Sequence, residues 1–153
     1  MTDFINKVIS VILIFIMLVL SPIMISYKTE EMIAKREILN DVNTFIDRIC
    51  DAATIKSTDI NELYLQCNSH GMVVDVSVER LVYAMTLDEN TGEYNYDYVV
   101  DKSFNNGVTN LNPSDMIKVH VEEITYSSTR RITYKLLGID EGFFEFSLCG
   151  MVG

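Results

Sequence analysis

Few residues in this sequence belong to the types that carry out chemistry. Its two histidines, His70 and His120, and its three cysteines, Cys50, Cys67 and Cys149, are spread along the chain. There is no C-x-x-C pair and no His/Cys spacing of the kind that ligates zinc, so no zinc site is expected. Three cysteines cannot all pair within one chain, and as small apolar residues they suit a core. Cys50 and Cys67, each near the end of a predicted helix, could still meet in a bridge if the domain lies outside the cytoplasm. One oxygen-rich run, Asp88-x-Asn90-x-Gly92 with Glu93 and Asp97 downstream, partly matches a calcium loop. It lacks a third side-chain ligand at the expected spacing and a terminal Glu in register, and the same residues are ordinary turn formers, so a plain turn is expected. G-x-S-x-G, H-E-x-x-H and Gly-rich phosphate loops are all absent. The expectation is no catalytic residue, no metal ligand and no cofactor: not an enzyme.

The strongest signal concerns solvent. Val8 to Ile25 reads VISVILIFIMLVLSPIMI, without a charge. A hydrocarbon core of ~30 Å needs about 20 apolar residues in helical form, and Phe4 to Tyr27 supplies that length with Lys7 and Lys28 able to snorkel at the ends. A single membrane span follows, necessarily helical because lipid offers the backbone no partners. Pro22 removes a donor and crowds the carbonyl one turn earlier, so a bend near Leu18 to Pro22 is predicted. A cleaved signal peptide is the alternative, but no small-residue cleavage site follows the run. A core helix apolar on every face would need more protein around it than this chain offers.

Residues 1–28 are thus a short tail and the transmembrane helix, and residues 29–153 fit one domain. That domain holds 21 Asp and Glu against 10 Lys and Arg, a formal net charge of −11. Such a field repels nucleic acid and anionic headgroups.

From Thr29 the helix is expected to run on to Ile55 without Gly or Pro, its apolar stripe formed by Ile38, Val42, Phe45, Ile46, Ile49 and Ala53. That stripe faces either the domain's own core or, alternatively, a coiled-coil partner. Ser57-Thr58-Asp59, with Glu62 three residues after Asp59, resembles a capping box opening a short helix that Gly71 ends. Beyond it the period becomes two. Val74, Val76 and Val78 alternate with polar residues, and after Arg80 the phase slips to Leu81, Tyr83 and Met85, as a bulge or a switch of face would produce. Tyr94, Tyr96, Tyr98 and Val100 complete a long hairpin. After a loop from Ser103 to Ser114, Ile117, Val119 and Val121 make a third strand. Thr129 to Leu137 reads as a short helix, with a strand through Ile132, Tyr134 and Leu136 as the alternative. Phe144, Phe146 and Leu148 make the last strand. The fold class is α+β: a long N-terminal helix packed on an antiparallel sheet of about four strands, one face inward and one wet.

An apolar helix that becomes amphipathic and is covered by an antiparallel sheet resembles the type IV pilin-like architecture, in particular the TadE-like pseudopilins of tight-adherence pilus loci. The likeness is carried by the Val8 to Ile25 run, by Pro22 and Tyr27, and by the segments MIKVHVEEI and FFEFSLCGMV. It implies a single-pass membrane protein with an extracytoplasmic domain, partnered by the bilayer and by other pilin-like or platform proteins. The tail MTDFINK has no Gly or Ala processing site, and the apolar run holds no acid. A minor or accessory subunit is therefore implied rather than a processed major one. The reading from a different class is a bitopic protein whose ectodomain binds a peptide, a cell-wall component or a protein. Lys28, Lys35 and Arg36 outnumber Lys7 and mildly favour a cytoplasmic domain, although long segments translocate largely regardless of such counts.

Overall fold

The computed structural model describes residues 2–87, 92, 94–102, 104, 109–126, 131, 135 and 142–153. Its spine is one helical rod, formed by α1 (Thr2–Phe15), a π-helical turn (Ile16–Leu20) and α2 (Ser21–Ala52). The π turn is the structural answer to Pro22. A proline ring collides with the carbonyl one turn earlier, and widening that turn makes room for it. The Ser21 N–H accordingly reaches back five residues to the Ile16 carbonyl, and Pro22 stands in the first turn of α2, where a missing N–H costs least. The predicted bend region is thus a π turn on the N-terminal side of the proline.

In α2 the buried stripe is Ala34, Ile38, Val42, Phe45, Ile46 and Ile49. The helix stops at Ala52, three residues short of the expected Ile55, although no glycine or proline stops it. Ala53 takes a left-handed conformation (φ 47°) and its carbonyl accepts the Leu111 N–H. Thr54–Ile55 (β1) then pairs antiparallel with Thr109–Asn110 (β4), a two-stranded ladder that local sequence did not announce. Pairing with a distant segment, and burial of Ile55, outweigh the continued helical pattern.

Helix α3 (Ser57–Ser69) begins nearly a full turn earlier than a cap at Asp59 would place it. Lys56 is the cap residue, and Asp59 sits in the first turn with its carboxylate accepting the Lys56 N–H at 3.0 Å. Glu62, expected to close a capping box, pairs instead with Arg48 of α2 at 3.2 Å. At its far end Asn68 accepts the Val74 N–H and donates to the Val74 carbonyl, imitating a strand partner, and Gly71 (φ 81°) supplies the turn.

The sheet contains β2 (Val73–Leu87), β3 (Tyr94–Val100), β5 (Met116–Thr125) and β6 (Glu145–Met151) in the order β3-β2-β5-β6, all antiparallel. Val74, Ile117, Val119 and Val121 are buried beneath α2 and α3, with Val76, Val78, Phe144, Phe146 and Leu148 packed around them. Helix and β6 run in the same direction: Lys35 lies over the Phe144 ring, whereas Ile46 meets Gly150. By alternation β2 also runs that way, so its end past Leu81, which is the level of Met116 and Met151, carries the β2–β3 hairpin away from the apolar half of the rod.

In the predicted helix Thr129–Leu137, Arg131 and Lys135 are helical; its other residues lie outside the described ones, as do Asp88 to Thr91 and Glu93.

Candidate interaction surfaces

The structure places the residues singled out for chemistry as follows. Cys67 is fully buried at the end of α3, and burial, with a smaller contribution from Asp41, pushes its thiol up to about 11. Cys50 is half-buried, its Sγ 3.0 Å from where a Gly150 Cβ would stand; burial first, then Asp47 and Asp51, raise its thiol too. The bridge envisaged between them is not formed: all three cysteines are free, with Cys50 directed at β6 and Cys67 at the core. Raised thiols are poor nucleophiles, which fits packing better than reactivity. Cys149 is exposed on the outer sheet face.

His70 joins α3 to α2. Its Nδ1 lies 2.9 Å from Glu37 and its Nε2 2.7 Å from Asp41. The carboxylates sit at opposite edges of the ring and do not converge on a common point, so this is a clamp between helices; a doubly protonated ring can donate to both. His120 lies across from Ser147, Nδ1 to Oγ 2.9 Å, on the outer face. Among the described residues no group of three His, Cys, Asp or Glu is arranged to hold a metal ion. Asp97, the described member of the oxygen-rich run other than Gly92, turns its Oδ1 to the Tyr98 N–H at 2.7 Å.

A polar cluster the sequence did not disclose anchors the root of the hairpin. Arg80 donates through Nε and Nη2 to Asp115 Oδ2 (3.0 and 2.6 Å) and through Nη1 to Asp101 (3.3 Å). Asp115, nearly buried, also accepts the Asn112 N–H. A desolvated fork of this kind fixes geometry more than it adds stability.

Among the described residues two apolar surfaces stand out as uncovered. The first is the rod: among the described residues one helix, Asp3–Ala52, is long and apolar enough to cross a membrane, and none of its apolar stretch is buried. The second is the outer face of the hairpin. Val74, Val76 and Val78 point to the helices, and the strand continues past Arg80 without a register shift, so Tyr83, Met85 and Leu87 point the other way. The phase slip is therefore a switch of face and not a bulge; the bulge that exists is at Val73/Val74. Opposite these residues stand Tyr98, Tyr96 and Tyr94. Tyr83 stacks on Tyr96 at 5.7 Å and meets Tyr98 tilted at 5.3 Å, yet Tyr83, Tyr94 and Tyr96 remain 57–65% exposed. The expectation of an apolar-in, polar-out sheet holds under α2 and reverses in the hairpin. The alternation of Leu81, Tyr83 and Met85 with Val82, Ala84 and Thr86 was the available signal.

Comparison with known protein families, characterised proteins and solved structures finds no match.

Proposed function

We propose that this protein is a membrane-anchored, pilin-like minor subunit or assembly factor of a tight-adherence, type IV pilus-like or secretion machine. The observation that carries the reading is the rod: one continuous helix whose first half is apolar on every face and uncovered, and whose second half is roofed by an antiparallel sheet. Half of such a helix needs lipid or other helices as solvent, and the other half already has its core. The domain then stands outside the cytoplasm. At about 1.5 Å per residue, the stretch from Tyr27 to Ala52 lifts its far end ~37 Å from the bilayer. A second reading, a bitopic binding module, is favoured by one feature, the exposed tyrosine face of the hairpin.

Insertion and assembly can be tested separately. Carbonate-washed membranes should retain the protein; full-length chain in the supernatant would remove the anchor. An impermeant maleimide applied to intact cells should label native Cys149, which is exposed; labelling only after lysis would reverse the topology. Replacing Val8 to Ile25 with a leucine-rich span of equal hydropathy keeps insertion but erases the shape offered by Phe15, Met17, Leu18 and the Pro22 turn. The swapped protein should stay in the membrane and lose co-purification with its partner subunits. Wild-type recovery of those partners would leave the helix a mere anchor and favour the binding module.

A further inference from the structure

We infer that the outer face of the β2–β3 hairpin is a self-association surface, and that its occupant is the same face of a second copy of this chain. Tyr83, Met85, Leu87, Tyr94, Tyr96 and Tyr98 form one sheet face without a charged side chain among them, continuous through Leu81 and Met116 with Met151. From their exposures, and ~200 Å² for a tyrosine, the face offers roughly 700 Å² per copy. Specific complexes bury about 600–1,000 Å² per partner, so one such face against another falls in the lower part of that range. The tyrosines are already stacked on one another, and rigid aromatic side chains lose little freedom on docking.

Charge is the objection to a second copy, since Val73 to Asp101 holds seven carboxylates and one arginine, Arg80, which is bound to Asp101 and Asp115. Of these, Asp97 lies on the opposite face of β3, whereas Asp75 and Glu79 share the outer face with Tyr83 but stand on the Val73 side of Leu81, outside the patch, with Glu79 paired to Lys118 at 3.4 Å. Sheets packed face to face stand ~10 Å apart, so the Asp97 carboxylates of the two copies, each on a far face, are separated by more than the ~8 Å Debye length at physiological salt. That part of the repulsion is screened, what remains weakens as salt is raised, and the apolar contact does not. Geometry also suits a second copy. A two-fold axis along the strands sets the faces together while both rods point the same way, as two chains in one bilayer require. The parallel orientation rests on the membrane-anchor reading; the pairing of the faces does not.

The test uses full-length protein in its native membranes with Cys149→Ser as background. Met85→Cys and Tyr96→Cys lie opposite each other at the centre of the face, both more than half exposed, so folding is not at risk. Asn95→Cys is exposed on the reverse face of the same hairpin and serves as the control. Under mild copper oxidation, both face positions should give disulfide-linked dimers at least tenfold faster than Asn95→Cys. Tyr83→Asp added to Tyr96→Cys should abolish them, and raising salt should speed them. Equal rates at all three positions would mean collision in the membrane and overturn the inference. Adducts of a different mass, or rates that fall with salt, would overturn it in favour of a cationic partner. In the leucine-span variant the hairpin dimer should persist; its loss would assign pairing to the helix, whereas loss of partner co-purification alone bears only on the proposed function.

Discussion

Gly150→Ala separates two opposing effects whose sum changes sign with the quality of the helix–sheet contact. In a strand without unusual backbone angles, replacing glycine by alanine restricts the unfolded chain and normally stabilises by ~0.4–1 kcal/mol. Here an added Cβ would overlap Ile46 Cγ2 and stand 3.0 Å from Cys50 Sγ, both carried by α2, so the helix must move off β6 or Ile46 must leave its rotamer. Overpacking a filled core costs ~1–3 kcal/mol, which exceeds the gain. The expected result is a net loss of about 1–2 kcal/mol, or roughly 3–6 °C in melting temperature for a domain of this size. Ile46→Ala alone should cost about 2–5 kcal/mol, because Ile46 is 4% exposed and its removal leaves a hole. The double variant places the new methyl in that hole, so the two costs should fall short of additivity by ~1–2 kcal/mol. Urea unfolding of the full-length protein in nanodiscs, followed by tyrosine emission because the chain has no tryptophan, reads all three. A more stable Gly150→Ala protein, or strictly additive costs, would refute the close approach of α2 to β6.

Arg80→Met should destabilise by about 3–5 kcal/mol, because Asp115, whose side chain is 7% exposed, keeps the Asn112 N–H but loses both guanidinium bonds. Adding Asp115→Leu should recover part of the loss in the same urea titration, and no recovery would argue against a buried charge as the cause. Cys67 sets a pH dependence. A thiol that ionises near 9.0 unfolded and about 11 folded leaves stability whole below pH 9 and removes it as pH rises through 11, by roughly 2–3 kcal/mol. Cys67→Ala should flatten that alkaline limb relative to wild type, and identical limbs would exclude Cys67 as its source. At pH 7.5 a thiol reagent should modify Cys149 first and Cys67 only on unfolding. Fast stoichiometric labelling of Cys67 in the native state would contradict its burial.

The sequence by itself determined which stretch is apolar on every face and the order of the rod, α3 and the four strands of the main sheet. An uncharged run from Val8 to Ile25 has no way to satisfy water, and periodicities of 3.6 and 2 in the stretches that follow can each be met by one kind of element. Pro22 likewise carries its local effect wherever it stands, and the π turn lies where its ring collides. Tertiary structure alone decided what depends on distant partners. The helix ends at Ala52 because Leu111 and β4 take up the chain at Ala53, fifty-odd residues away in sequence. Glu37 and Asp41 read as solvated helix residues until α3 brings His70 between them. Arg80, Asp101 and Asp115 become one cluster only when β2 and β5 align. The hairpin face is the clearest case. Alternation shows that Tyr83, Tyr96 and their neighbours share a side, but which side is the core depends on where the helices sit. Those helices cover the sheet on the Val74 side, and the hairpin projects beyond them. Its tyrosines are therefore exposed by geometry, not by their own preference.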